Sequence, residues 1–325
     1  MQKDRDMYTV FITDHSFTDT APEREILTGL ARVVDLSGSP PRTEEEVISA
    51  CRGADALIVG FAPVTARVLD ALPGLKGIVR YGIGCDTIDL PAAAARGLPV
   101  ANVPDYCIEE VSDHTLALVL ALERRILAYD VSTREGQWKP VTTERRIHRL
   151  VGRRLGIIGF GRIGREVARR ARVFGYRIFA FDPYLSETAV REGGAEPAGL
   201  DELLASADVT TLHLPLTGET RGLIGREKLA IMKNGAFLVN VARGALVDGD
   251  ALAEALTVGR LAGAALDVYE TEPLPPGHPL RSAPNTILQP HCAWYSEESL
   301  RNLQKSAAME AARILRGEPL RNPVL

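Results

Sequence analysis

The chain has 325 residues, 46% of them hydrophobic and 25% charged, with a formal net charge of −4. That is enough for two domains with a substantial core, and the weak negative balance argues against a nucleic-acid partner. No apolar run approaches the ~18 residues of a membrane span, and the charged start MQKDRDMYTV lacks a signal-peptide apolar region, so the chain reads as cytoplasmic.

Residues 8–104 alternate strand and helix. The pattern predicts a strand at 8–12, a helix at 22–31, a strand at 33–36 and a helix at 44–51 with acids in its first turn. Strand 56–59, helix 65–72 and strand 77–80 follow. Helix 91–96 has proline near its start and Gly97 behind it, and strand 99–103 closes the series. Such alternation implies a parallel sheet with helices on both faces. After the fourth strand stands Tyr81-Gly82-Ile83-Gly84-Cys85-Asp86. Its two glycines suit either backbone N–H contact with an anion or a plain strand-to-helix turn.

Residues 108–128 read as one long helix, apolar over Leu116–Leu122, buried between domains or between subunits. Trp138 beyond it can anchor an interface. The basic cluster Arg145, Arg146, Arg149, Arg153 and Arg154 reads as a solvated face. The four cysteines, Cys51, Cys85, Cys107 and Cys292, have no metal-like spacing, which predicts buried free thiols and no metal.

The stretch LGIIGFGRIGREVARRARVFGYRIFAFD, residues 155–182, organises the second half. It reads as strand, glycine turn, helix, strand, with Ile163, Val167, Ala171 and Phe174 on the helix's apolar face. Gly159, Phe160, Gly161, Arg162, Ile163 and Gly164 fit G-x-G-x-x-G. Gly159 permits the sharp turn, Gly161 lets a pyrophosphate approach the backbone, and Gly164 lets helix and strand pack closely. The helix start attracts phosphates. Asp182 closes the second strand, where a carboxylate accepts from ribose hydroxyls and repels a 2′-phosphate, which selects NAD over NADP.

Beyond Asp182 the reading is helix 200–206, strand 209–214, helix 222–232, strand 236–240, helix 250–256, and strands 263–267 and 286–288. Six strands make a dinucleotide fold over residues 105–296. The helix 297–316 lies outside that count and packs back on the first domain. A ligand lies at the carboxyl ends of such strands, and the polar residues there are Asp182, His213, Arg243, Asp267, Glu272 and His291. Arg243 suits a substrate carboxylate and its adjacent carbonyl. His291 suits proton transfer, and Glu272 can hydrogen-bond its other nitrogen and favour the imidazolium. The combination suits reduction of a 2-oxo acid, although sequence separation leaves open whether the three meet.

The motifs LGIIGFGRIG, FLVNVARGALVD, GAALDVYETEP and LQPHCAWYSEES resemble the D-isomer-specific 2-hydroxyacid dehydrogenase family, closest to its C-terminal binding protein branch through Trp294-Tyr295-Ser296. The resemblance implies a Rossmann NAD domain (105–296) inserted in a flavodoxin-like substrate domain (1–104 and 297–325), both doubly wound parallel α/β sheets. It implies catalysis by Arg243, Glu272 and His291. It implies NAD binding by residues 159–164, Asp182, His213, Pro215, Thr217, Val241, Ala242, Arg243, Asp267 and His291. Tyr81, Gly82, Ile83, Arg243, His291 and Trp294 would contact a small 2-oxo or 2-hydroxy acid. A homodimer is also implied. The alternative is an NAD(H)-sensing protein-binding module of the co-repressor type.

Overall fold

A computed structural model describes residues 7–141 and 146–325. The chain divides into two compact units, one running up to Cys107 and resuming at Ser296–Leu325, the other spanning Ile108–Tyr295.

The first unit contains β1 (Tyr8–Ile12), α1 (Ala21–Ile26), β2 (Ala31–Asp35), α2 (Glu44–Ala50), β3 (Ala56–Val59), α3 (Ala66–Ala71), β4 (Gly77–Arg80), α4 (Leu90–Ala95) and β5 (Val100–Ala101), plus the C-terminal helix (Glu297–Arg316). Every strand pair is parallel and the order is β2-β1-β3-β4-β5, the flavodoxin-like arrangement. Strands such as ALIV, buried at every position, must be covered on both faces. One face carries Val47, Val68 and Leu69. The other carries Leu303, Ala307 and Ala311 of the C-terminal helix, packed with Val10, Ile12 and Val79. Helix α1 stops at Ile26, five residues short of its expected end, because Gly29 at φ +75° turns the chain into β2.

The second unit contains α5 (Ile108–Glu123), α6 (Ile126–Arg134), β6 (Arg154–Ile158), α7 (Arg162–Val173), β7 (Arg177–Phe181), α8 (Glu187–Glu192), β8 (Glu196–Pro197), α9 (Leu200–Ser206), β9 (Val209–Leu212), α10 (Arg226–Ile231), β10 (Phe237–Asn240), α11 (Gly249–Thr257), β11 (Gly263–Leu266) and β12 (Thr286–Leu288). The sheet is parallel, ordered β12-β11-β10-β9-β6-β7-β8. From β6 outward the order reverses direction, as in a Rossmann fold. Among the described residues it has seven strands, not six, because the two-residue β8 pairs on the edge of β7.

Four further expectations are corrected. The long helix is broken at Arg125, which sits at φ +55° with its guanidinium donating to Ala262 O at 2.9 Å and lying 5.1 Å from the Phe237 ring. The buried face of α7 is Gly164, Val167, Ala168 and Ala171, while Phe174 lies past the helix end and is exposed. The basic cluster is not one solvated face. Arg153 is paired with buried Glu123 at 2.8 Å, Arg154 lies 3.5 Å from the Phe179 ring centre, and Arg145 is outside the described residues. Of the free thiols, Cys51 and Cys107 are buried, whereas Cys85 and Cys292 are only partly so. Among the described residues no helix is long and apolar enough to cross a membrane.

Candidate active site

In the second unit, one register row runs across six strands. Phe181 pairs with Ile158, Ile158 with Leu212, Leu212 with Asn240, Asn240 with Leu266, and Leu266 with Leu288. Strands stand about 4.8 Å apart, so the residues just beyond this row form one polar edge. Asp182, Gly159, His213, Arg243, Asp267 and His291 all follow it within a few positions.

The glycine turn fits a dinucleotide. Gly159 has φ +89°, and a Cβ there would stand 2.6 Å from His213 O. A Cβ on Gly164 would stand 2.3 Å from Gly159 O, which enforces the close helix–strand approach. Gly161 has nothing within 4 Å of its Cβ position, open space suited to a pyrophosphate. The N–H groups of Gly161, Arg162 and Ile163 have no intramolecular acceptor among the described residues, leaving a helix start able to bind phosphate. Phe160 is fully buried and its N–H donates to Asp182 Oδ2 at 2.9 Å, so it shapes the turn. Asp182 Oδ1 accepts from Tyr184 N–H at 3.0 Å, and both oxygens keep lone pairs for ribose hydroxyls.

Glu272 and His291 meet. Glu272 Oε2 lies 2.7 Å from His291 Nδ1, and Glu272 Oε1 accepts the Tyr269 N–H at 2.9 Å. Burial would raise the Glu272 carboxyl. The His291 hydrogen bond and charge, the Tyr269 N–H and the Arg243 charge together hold it below its ordinary value. Arg243 thus acts on the same carboxylate. Its Nη1 donates to Ala242 O at 2.7 Å, and buried Asn240 fixes the loop by donating to Arg243 O and accepting from Ala242 N–H.

His291 has φ +56°. Three groups secure this turn. Asp267, almost fully buried, accepts Cys292 N–H (2.8 Å) and Ala293 N–H (2.9 Å), one on each oxygen. Trp294 Nε1 donates to His291 O at 2.9 Å. Tyr269 OH lies 3.1 and 3.0 Å from the carbonyls of Leu266 and Gln289, tying the ends of β11 and β12 together. The geometry therefore places Asp267 and Trp294 around the histidine's backbone. Burial and the Asp267 carboxylate push the Cys292 thiol up, away from nucleophile chemistry.

His213 Nε2 lies 3.0 Å from Thr211 Oγ1, and burial pushes the imidazole down to about 3, so it is neutral at physiological pH. Thr217 and Pro215 stand in a turn closed by Thr220, whose hydroxyl donates to Pro215 O at 2.7 Å. Val241 is buried and Ala242 offers its carbonyl to Arg243. In the first unit, the loop after β4 keeps Tyr81 buried and spends the Tyr81 and Gly82 N–H groups on Val59 O and Arg80 O.

Sequence reasoning missed Asn240, Tyr269 and His114. Asn240 and Tyr269 stand inside the family motifs, but nothing in their spacing marks them as clamps. His114 Nε2 is buried without a hydrogen-bond partner among the described residues and clusters with Asp267 and Cys292, their polar atoms within 4.8 Å of one another. It reads in sequence as an ordinary helix position.

Comparison with known proteins agrees with this chemistry. Residues 116–293 match the NAD binding domain of the D-isomer specific 2-hydroxyacid dehydrogenases. A glyoxylate reductase of Korarchaeum cryptofilum is 40% identical over 310 residues, covering 93% of this chain and 92% of the relative. A D-3-phosphoglycerate dehydrogenase of Archaeoglobus fulgidus is 39% identical over 93% of this chain, but the match spans only 55% of that protein. The crystal structure of a glyoxylate reductase from Paecilomyes thermophila superimposes with a TM-score of 0.86 at 32% identity, covering 98% of both chains. The chain belongs to the D-isomer-specific 2-hydroxyacid dehydrogenase family and is an NAD-dependent oxidoreductase acting on the CH–OH group of 2-hydroxy acids.

Proposed function

We propose that the chain reduces a small 2-oxo acid with NADH, with Arg243, Glu272 and His291 as its reacting and orienting groups. The observation that carries this is the 2.7 Å contact between Glu272 and His291, on the same strand-end edge as the glycine turn. NADH, held at the glycine turn, would supply the hydride that C2 of the oxo acid accepts. Arg243 offers a planar donor pair to the substrate carboxylate and polarises the carbonyl. Glu272 occupies Nδ1 of His291, so Nε2 is the nitrogen that delivers a proton to the developing alkoxide. Oxidation of the hydroxy acid runs the same steps backward. Residues 159–164 and Asp182 hold the adenosine and pyrophosphate, and His213, Pro215, Thr217, Val241, Ala242 and Asp267 frame the rest of NAD. The loop Tyr81-Gly82-Ile83 and Trp294 take part in substrate binding.

Glyoxylate is the first substrate to test, since two of the relatives above are named glyoxylate reductase. NADH consumption should be followed with glyoxylate, hydroxypyruvate, pyruvate and phenylpyruvate. His291→Ala and Arg243→Ala should each lower kcat/KM by about 10²–10⁴ while NADH titration is unchanged. Wild-type rates in either variant refute its assigned role. NADH binding without turnover on any oxo acid would favour the co-repressor-type module, a reading that no relative named above supports.

The protein is a homodimer in this reading, working in the cytoplasm. Helix α6 and its following loop expose Ile126, Leu127, Val131, Trp138 (85%) and Val141 (88%), apolar side chains that a second copy would cover. Light scattering should give twice the chain mass, and Val131→Glu should shift it towards monomer. A wild-type monomer at micromolar concentration refutes the dimer.

A further inference from the structure

The first unit holds a fully buried carboxyl that the proposed chemistry does not use. Glu23 on α1 has no solvent exposure. Its Oε1 accepts the Tyr81 hydroxyl at 2.5 Å, and its Oε2 accepts Gln304 Nε2 of the C-terminal helix at 3.1 Å. The same Gln304 amide nitrogen donates to Asp19 O at 2.9 Å. Burial raises the Glu23 carboxyl against the lowering effect of Tyr81, its own backbone, Gln304 and the His15 charge. An apolar side chain would be the cheaper filling for such a site. Instead, one carboxyl ties together α1, the C-terminal helix and the residue that follows β4.

Tyr81 opens the loop Tyr81-Gly82-Ile83-Gly84. Its ring is held edge-on by Phe17, centroids 5.3 Å apart, and its N–H is bound to Val59 O at 2.8 Å. The loop's carbonyls are also taken: Gly82 O accepts Val103 N–H at 3.0 Å and Ile83 O accepts Asn102 Nδ2 at 2.7 Å. The N–H groups of Ile83 and Gly84 have no acceptor among the described residues. Two successive unspent donors beside a glycine at φ +133° make a seat for an anion.

We propose that Glu23 is a positioning residue for the substrate: through Tyr81 it fixes the loop whose Ile83 and Gly84 N–H groups receive the oxo acid's carboxylate. This rests on the reading of that loop as a substrate contact. A hydrogen-bonded carboxyl can set a backbone position more sharply than an apolar contact, because the bond has a direction and its buried partners have no alternative.

The test compares Tyr81→Phe, Glu23→Gln and Ile83→Pro, each assayed for KM and kcat with glyoxylate, for NADH affinity by fluorescence titration, and for thermal midpoint. Tyr81→Phe and Glu23→Gln should raise KM about tenfold, the scale of one buried hydrogen bond. The kcat should stay within about twofold and NADH affinity should be unchanged. The double variant should be no worse than the weaker single one. Ile83→Pro, which removes one donor, should raise KM as well. A raised KM in Ile83→Pro with wild-type KM in Tyr81→Phe and Glu23→Gln overturns the positioning role alone. An unchanged KM in Ile83→Pro overturns the substrate loop and the positioning role with it. Parallel loss of NADH affinity, kcat and thermal midpoint in Tyr81→Phe would make Glu23 merely structural and also overturn the proposal. If Glu23→Gln does not fold, Tyr81→Phe carries the decision.

Discussion

His291 stands in the left-handed backbone region, where a side chain costs about 1–2 kcal/mol. That conformation persists because Asp267 holds the two following N–H groups and Trp294 holds its carbonyl. The indole therefore helps to orient the histidine, and the substrate contact proposed for it above would be a second, separable role. Trp294→Phe keeps an aromatic ring and loses the donor. If orientation dominates, steady-state kinetics should show kcat falling about three- to tenfold with KM nearly constant. A raised KM at constant kcat would assign Trp294 to the substrate instead. Asp182 has a similar double use, since its carboxylate also receives the Phe160 N–H. Asp182→Ala should raise the NADPH to NADH ratio of kcat/KM by tenfold or more, chiefly by losing repulsion of the 2′-phosphate. An unchanged ratio would mean that the turn, not the charge, selects the cofactor.

At the scale of elements, the glycine turn is the part most dependent on one residue type. A methyl group on Gly164 would overlap Gly159 O, and the contact is with backbone, so no side chain can rotate away. Gly164→Ala should push α7 off β6 and weaken NADH binding by about tenfold in fluorescence titration, with some loss of thermal stability. Unaltered NADH affinity would show that the cradle tolerates the displacement. This element was legible in the sequence because its requirement is local: a positive φ, a close approach and an open helix start each demand glycine. The Arg125 break was not legible. It depends on the Ala262 carbonyl and the Phe237 ring, more than a hundred residues away, catching one arginine. The α7 face was right at Val167 and Ala171 and wrong at its end for a related reason. Phe174 looks like the last apolar residue of the stripe, yet the helix ends at Val173 and the ring turns to solvent. Among site residues, Glu272 and His291 were legible as chemistry but not as neighbours. Asn240 and Tyr269 act through contacts to backbone carbonyls and N–H groups, which residue type alone does not announce.

For the whole molecule, the buried ionisable groups set the response to acid, and they pull in opposite directions. Glu23 and Glu123 are raised, chiefly by burial, so the folded chain binds their protons more readily than the unfolded chain does; they favour folding as pH falls. Asp208, which burial would raise, is held low by Lys233, the Arg154 N–H and Arg153, and loses its stabilising effect only well into acid. His213 acts earliest. Its folded value of about 3 lies below the ordinary 6.5, so between those limits the unfolded chain binds the extra proton and stability falls as pH drops. The full slope for one such group is about 1.4 kcal/mol per pH unit. His213→Gln keeps a polar group near Thr211 and removes the titration. Urea unfolding at pH 7.0 and pH 5.0 should therefore show a smaller acid loss in His213→Gln than in the wild type, with the two proteins converging at the lower pH. Because the carboxylates are common to both, the difference between the two curves isolates the histidine. Parallel curves would mean that His213 accepts its proton in the folded state, and that the edge of the sheet beside the glycine turn carries a positive charge in mild acid.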